Sequence, residues 1–293
     1  MLDQQLVNAI SLGCVYALFA LGFTLIFGVL HVINLSHGAV FMVGAYAAEQ
    51  VIAHFAFPLW AAILFAFVFS GVVGFVIDLL VLRPLRARNA PELIPMIATI
   101  GIAIILANGI QGIFGAQNIR FPASLVPDEV LKVAGVRVTV LELGIIFLSF
   151  ALMAVLLLIM RKTQMGRALR AIAESPRAAS LLGINVEGLF FLTSSLAAAL
   201  GGIAGVLIGL YSNAVFPLMG ESMLEKGIAV IILGGMGDMR GALIGGLFLG
   251  FAEVLSVAYI GSSMRDAVAF GLLFLILLVR PKGLFGRIAE RKV

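Results

Sequence analysis

A polar, strongly basic stretch interrupts an otherwise apolar chain: residues 161–187 read RKTQMGRALRAIAESPRAASLLGINVE. We call this stretch the basic segment. It lies between two apolar runs that are each long enough to cross a bilayer as a helix. Short loops rich in Lys and Arg stay on the cytoplasmic side of a membrane. The basic residues Arg161, Lys162, Arg167, Arg170 and Arg177 therefore place the segment in the cytoplasm and orient the whole chain.

Two short helices are predicted within the basic segment. Residues 165–173 read as the first helix, and Ser175-Pro176 starts the second. Ser caps a helix N-terminus, and Pro at the first helical position gives up no donor that the helix needs. Gly183 is the expected C-terminal stop. A simple connection needs only a few residues, so this folded segment suggests a docking surface. The alternative is an amphipathic loop resting on anionic headgroups.

The composition is that of an integral membrane protein. Of the 293 residues, 62% are hydrophobic and 12% are charged, and the mean hydropathy is +1.17. A soluble domain carries about a quarter charged residues. The net charge of +4 is concentrated in a few loops, which favours membrane orientation over nucleic-acid binding. We therefore expect one transmembrane domain, residues 1–293, with no soluble domain beside it.

The apolar runs predict an all-α polytopic fold with about eight transmembrane helices. The run over residues 217–237 has an apolar part too short to span alone, so we expect a short or broken helix there. The basic loops place the N-terminus outside and the C-terminus in the cytoplasm. The apolar runs that supply these helices number nine when the short or broken one is included, and they cover residues 6–30, 38–57, 58–82, 96–115, 141–160, 188–211, 217–237, 241–259 and 265–279.

Catalytic and nucleotide-binding motifs are missing from the sequence. Its three histidines have no Cys or His partner at a metal-ligand spacing, and Cys14 is the single cysteine. The pattern G-x-x-x-x-G-K-[ST] of nucleotide-binding loops does not occur. We therefore expect no catalysis, no metal and no cofactor in this chain. If transport uses ATP, a separate subunit supplies the ATPase site.

Polar residues inside the apolar runs are the candidates for a translocation pathway, because such groups are costly in hydrocarbon. These candidates are Asn34, His37, Gly38, Glu49, Asn108 and Glu253. For each of them, hydrogen bonding between helices is the competing interpretation.

Three further polar features have simpler interpretations. Glu225 and Lys226 are adjacent and are interpreted as an interfacial or self-paired couple. Asp78 precedes Arg83 and is interpreted as a charge at a helix end that reaches the headgroups. The glycine-rich residues 234–241 predict a tight turn between two packed helices, because no strand and no Lys accompany them as a phosphate loop requires.

Several ordered motifs resemble the branched-chain amino acid permeases of ABC importers, the LivH type. Residues 28–46, GVLHVINLSHGAVFMVGAY, resemble the family signature G-x-x-x-x-I-N-x-[AS]-H-G-x-x-x-x-x-G-A-Y. Residues 232–242, residues 279–286, and residues 166–171 with the downstream Gly183-Ile184 are similar to further family stretches. The resemblance covers nearly the whole chain.

The resemblance implies a multi-pass permease of the bacterial inner membrane. Its implied partners are a homologous second permease, two ABC ATPase subunits and a periplasmic substrate-binding protein. It also implies that the basic segment couples the permease to the ATPases. The coupling residues expected on this basis are Arg170, Glu174, Ser175, Pro176, Arg177, Leu181 and Gly183.

The implied substrates are branched-chain or related hydrophobic amino acids. A permease for urea or another small amide or amino acid is an open alternative, because sister systems share these motifs. The alternative from another class of transporter is an ion-coupled secondary carrier that works alone. Such a carrier would contain a set of intramembrane carboxylates that functions without partner subunits.

Overall fold

The computed structural model describes residues 2–91, 93–122, 130–133, 136–281 and 283–285. These residues form a helical bundle with one small β-hairpin. The helices are α1 (Leu2–Leu30), α2 (His37–Phe55), α3 (Leu59–Ile77), α4 (Arg83–Ala87), α5 (Leu93–Phe114), α6 (Val140–Lys162), α7 (Gln164–Glu174), α8 (Pro176–Leu181), α9 (Val186–Ser212), α10 (Met219–Gly234), α11 (Met239–Tyr259) and α12 (Arg265–Val279). The antiparallel strands of the hairpin are β1 (Val130–Val133) and β2 (Val136–Thr139).

Seven helical segments of the described chain are long and apolar enough to cross a membrane. They are α1, α3 with its extension through α4, α5, α6, α9, α11, and α12 with the short turn before it. The prediction of an all-α polytopic membrane protein is confirmed. The helix α10, with 16 residues, is shorter than a full span, as the sequence predicted.

The two ends of the described chain lie at opposite ends of the bundle. At one end, the backbone N–H of Arg137 in β2 donates to Oε1 of Gln4 in the first turns of α1. At the other end, Phe285 donates to the carbonyl of Gly234, close to where Gly237 approaches Gly28 near the end of α1. Opposite ends require an odd number of crossings. The seven spans satisfy this condition, and so do the nine crossings that result when α2 and α10 are added. The expected count of about eight differs by one from each number. Which end faces the cytoplasm stays a prediction.

Helix α1 is the centre of the bundle. In the most apolar stretch of α1, 89% of the residues are buried. In the corresponding stretches of α5 and α12, 11% and 6% of the residues are buried. α1 packs against α6, α9, α10 and α11, while α5 contacts mainly α2. The described chain therefore leaves one side of α5 and one side of α12 open to lipid or to partner subunits.

Glycines allow the central helices to approach at backbone distance. A Cβ on Gly205 of α9 would overlap the carbonyl group of Phe41 on α2. A Cβ on Gly44 of α2 would likewise overlap the backbone of Gly202 on α9. Small residues favour helix association in membranes because backbones can pack closely without side chains between them. These contacts fix α2 against α9.

Asp78 lies in a π-helical turn, residues Asp78–Leu82, that joins α3 to α4. The interpretation of Asp78 as a charge that reaches the headgroups is wrong. Its side chain is fully buried, and its Oδ1 lies 2.5 Å from Nη1 of Arg86. A π-helical turn takes up more residues than an α-helical turn. This change of register brings Arg86, rather than Arg83, onto the same face as Asp78.

The glycine-rich stretch forms the predicted turn between α10 and α11. Gly235 and Gly237 have φ angles of 101° and 87°, values that residues with a Cβ rarely adopt. Asp238 caps α11, since its Oδ1 accepts hydrogen bonds from the N–H groups of Arg240 at 2.8 Å and Gly241 at 3.2 Å. This turn lies beside the basic segment.

Candidate functional site

The first helix of the basic segment, α7, is amphipathic and lies against the bundle. Leu169 and Ile172 are buried and belong to the hydrophobic core, whereas Arg167 and Arg170 are on the exposed side. Thr163 caps the helix by accepting a hydrogen bond from the N–H of Gly166 at 3.1 Å. A Cβ on Gly166 would overlap the carbonyl oxygens of Ile159 and Met160 at the end of α6. The helix α7 is thus held tightly against the last turn of α6.

The second helix, α8, has the ends that its sequence predicted. Ser175 is its N-cap, with Oγ accepting from the N–H of Ala178 at 3.2 Å, and Pro176 is the first helical residue. Gly183 follows the helix with φ of 80°. Ala179 is buried and attaches α8 to the core. The two predicted short helices are therefore confirmed, and α7 is one residue longer at each end than predicted.

The far side of α8 presents an apolar tip next to a basic residue. Leu181 is 88% exposed and Leu182 is 79% exposed, and Arg177 is also exposed. The two adjacent leucines form a contiguous apolar surface, and contiguous exposed apolar surfaces mark interaction sites. The geometry is that of a rigid protrusion with two apolar side chains and one cationic side chain.

The expected coupling residues have different places in this segment. Ser175, Pro176 and Gly183 shape α8, and Arg177 and Leu181 are on its open face. Arg170 is also exposed, but its guanidinium folds back to donate to the carbonyl oxygen of Met160 at the end of α6. Arg170 and Glu174 both line a cavity of about 600 Å³ between α7, the end of α1 and the turn before α11. Arg161, Arg240 and His31 also line this cavity.

The basic segment is connected to the membrane helices through the start of α9. Asn185 caps α9 by accepting from the N–H of Gly188 at 3.0 Å. Glu187 lies 3.5 Å from Nε of Arg83 and 3.9 Å from Nη2 of Arg86, both on α4. Arg86 is in turn paired with the buried Asp78. These contacts connect the start of α9 to α8 on one side and, through α4, to α3 on the other.

The intramembrane candidates near the start of α2 are held by local contacts. Oδ1 of Asn34 accepts from the N–H of Ser36 at 3.1 Å and from its Oγ at 2.6 Å, which shapes the turn before α2. The His37 ring is buried between Phe19 and Phe23, with ring centroids 4.6 and 5.6 Å away. Its Nε2 lies 3.3 Å from the carbonyl oxygen of Phe19.

The remaining candidates differ in exposure. Gly38 packs against the backbone of Gly220, which brings α2 and α10 together. Glu49 is buried and accepts a hydrogen bond from Gln50 at 2.7 Å. Asn108 is exposed on α5 and donates to the carbonyl of Ile104 in its own helix at 2.8 Å. The structure does not bring these residues together with Glu253 in one site.

Glu253 is the centre of a buried polar cluster. The Oε2 atom of Glu253 accepts hydrogen bonds from Tyr16 at 2.8 Å, Lys226 at 3.0 Å and Arg265 at 2.6 Å. The interpretation of Lys226 as paired with Glu225 is therefore wrong, because its ammonium pairs with Glu253 and approaches Asp266 at 3.7 Å. No local sequence signal predicted these pairs, since the partners lie on different helices.

Comparison with known proteins identifies the family. Residues 5–277 match a family described as the permease component of the branched-chain amino acid transport system. The chain is 36% identical to the high-affinity branched-chain amino acid permease LivH of Escherichia coli, over 99% of this chain and 97% of LivH. It is equally similar to BraD of Pseudomonas aeruginosa, at 36% identity over the same shares. LivM of E. coli is 24% identical over 97% of this chain and 71% of LivM.

No solved structure matches the chain. The family match and the LivH and BraD similarities cover nearly its full length, and the spanning helices agree with them. The chain is a multi-pass membrane protein that belongs to the family of branched-chain amino acid transport system permease components.

Proposed function

We propose that this chain is a permease subunit of an ABC importer that takes up branched-chain amino acids. In this proposal it forms a single permease domain over residues 1–293 in a bacterial inner membrane. A homologous second permease pairs with it, as suggested by the similarity to both LivH and LivM of E. coli. Two ATPase subunits and a periplasmic substrate-binding protein complete the importer.

The observation that carries the coupling role is the exposed tip of α8. Leu181 and Leu182 need a partner surface, and Arg177 beside them favours a partner with acidic residues at that place. The basic residues around the tip favour the cytoplasmic side, where an ATPase subunit would contact it. The same rule puts the N-terminus outside and the C-terminus inside. An ATPase that moves on ATP binding would push on α8.

The contacts of α8 explain how such a push would reach the helices. Ala179 and the Asn185 cap join α8 to α9, and Glu187 joins it to α4. Helix α9 packs on α1, α2 and α3. Tilting α9 and α3 together would switch the side on which a pathway beside them is open. No covalent chemistry is required of this chain.

The test is transport by the complex purified from its native membrane with a tag on this chain. In proteoliposomes, radiolabelled leucine should enter only when ATP and the substrate-binding protein are supplied. Competition by valine and isoleucine, but not by urea, would support branched-chain substrates over small amides. Leucine uptake by the chain alone, driven by an ion gradient, would contradict the proposal and favour a secondary carrier.

A further inference from the structure

A narrow groove opens on the side of the bundle between α2, α5 and α10. It has a volume of about 160 Å³. Its walls are apolar and include Ala39, Ile100, Ile104 and Leu224, and Glu221 is the one ionisable residue that lines it in the described chain. Glu221 is exposed in the first turn of α10.

The groove lies near the middle of the spanning helices, and therefore near the middle of a membrane that these helices cross. Gly220, next to Glu221, packs against Gly38, and the neighbouring His37 contacts Phe19 of α1. Phe19 lies 17 residues from Leu2 and 11 residues from Leu30, or about 26 and 16 Å along the helix at 1.5 Å per residue. The wall residues of α5, from Ile100 onwards, are likewise in the middle of that helix.

An exposed carboxylate at this depth does not suit a lipid contact. Placing an ionised residue at the bilayer centre costs at least about 2.5 kcal/mol. Glu225 and Ser222 are exposed on the same side of α10, so this surface is polar over more than one turn. Within the described residues, neither Glu221 nor Glu225 has a cationic partner. This side of α10 therefore faces water or a partner subunit.

The chemistry of the groove is complementary to a hydrophobic amino acid. An engineered apolar cavity of about 150 Å³ in another protein holds benzene, so a groove of this size takes a branched aliphatic side chain. The single carboxylate suits the α-ammonium group of the same molecule. Urea has neither an apolar side chain nor a cationic group, so it lacks both features that the groove recognises.

We propose that the groove and Glu221 form one wall of the translocation pathway, where the carboxylate binds the ammonium of a hydrophobic amino acid and the apolar walls receive its side chain. This inference rests on the proposed function. It places the pathway along α5 and α10, on the open side of the chain. The buried cluster around Glu253 then holds the other face of α10 in position.

Cysteine accessibility in the complete transporter tests this placement. In a Cys14→Ala background, Glu221→Cys should react with the water-soluble reagent trimethylammonioethyl methanethiosulfonate, and leucine with its binding protein should slow the reaction. The control is Phe147→Cys on α6, whose parent residue is 76% exposed on an apolar face. Labelling of the Glu221→Cys chain no faster than that of the control would overturn the proposal.

Uptake measurements are a second test of the role of Glu221. Glu221→Gln should lower leucine uptake at saturating binding protein by about tenfold or more, because it removes a charge-assisted hydrogen bond. Ser212→Ala, at an exposed position at the end of α9 away from the groove, should transport like the wild type. Unchanged uptake in Glu221→Gln would overturn this inference alone. No leucine uptake by the wild-type complex would overturn the proposed function and this inference with it.

Discussion

The ammonium of Lys226 on α10 lies 2.8 Å from Oε1 of Glu253 on α11. Glu253 is fully buried, and Tyr16 of α1 and Arg265 of α12 bond to its other oxygen. One carboxylate thus joins four helices. Because two cations and a hydroxyl already surround it, Glu253 is better suited to holding these helices together than to contacting a passing substrate.

Replacing Glu253 should destabilise the bundle. Glu253→Gln leaves Lys226 and Arg265 without their shared anion, and breaking a buried ion pair typically costs about 3–5 kcal/mol. Thermal unfolding of the purified protein in detergent would show a lower midpoint. Asp266→Asn is the matched control, because the Asp266 side chain is 66% exposed and should contribute less than about 1 kcal/mol. Equal midpoints for both variants would contradict the structural role.

The Asp78–Arg86 pair should be important for joining α3 to α4. Asp78→Asn removes the charge that pairs with Arg86, whose side chain is 15% exposed, and should cost about 3 kcal/mol of stability. The same unfolding assay measures it. Arg88→Ala, at the exposed position just after α4, should change the unfolding midpoint little. A wild-type midpoint in Asp78→Asn would show that the pair is dispensable.

Glycines at close helix contacts should be sensitive to a single methyl group. Gly205→Ala would place a Cβ against the Phe41 carbonyl, so α2 and α9 must separate and both stability and uptake should fall. Gly109→Ala on α5 meets no atom within 4 Å in the described chain and should be neutral or stabilising by up to about 1 kcal/mol. Equal behaviour of the two variants in unfolding and uptake assays would contradict this packing.

Local sequence signals predicted the parts of the structure that depend on neighbouring residues. Ser175, Pro176 and Gly183 define α8 because capping and positive φ are properties of a few adjacent residues. The turn at Gly235 and Gly237 was predictable for the same reason. Long apolar runs identified the spans because the bilayer sets their length.

The pairing of buried charges could not be predicted in this way. Glu253 and Lys226 are 27 residues apart on different helices, so only the packing of α10 on α11 brings them together. Arg86 is the partner of Asp78 because a π-helical turn changes the register between them. No periodicity signal separates Glu221, which lines an open groove, from Glu49, which is buried.

The tip of α8 should be required for coupling but not for folding. The double substitution Arg177→Ala with Leu181→Ala removes the exposed cation and the 88% exposed leucine. Leucine uptake should fall by about tenfold or more, as expected for loss of an interface hot spot of at least about 1.4 kcal/mol. Membrane levels should stay normal, and ATP hydrolysis should no longer respond to the binding protein. Leu158→Ala, at a 57% exposed site on α6, controls for loss of a surface leucine. Normal uptake in the double variant would argue against docking at this tip.

Cross-linking from position 181 tests the central claim most directly, namely that an ATPase subunit receives the tip of α8. The Leu181→Cys chain, in a Cys14→Ala background and in native membranes, is treated with a short photoactivated thiol reagent, and the cross-linked partner is identified by mass spectrometry. We predict a cross-link to an ATP-hydrolysing subunit that changes in yield when ATP is added. Cross-links only to lipid or to a protein on the outer side of the membrane would contradict the account.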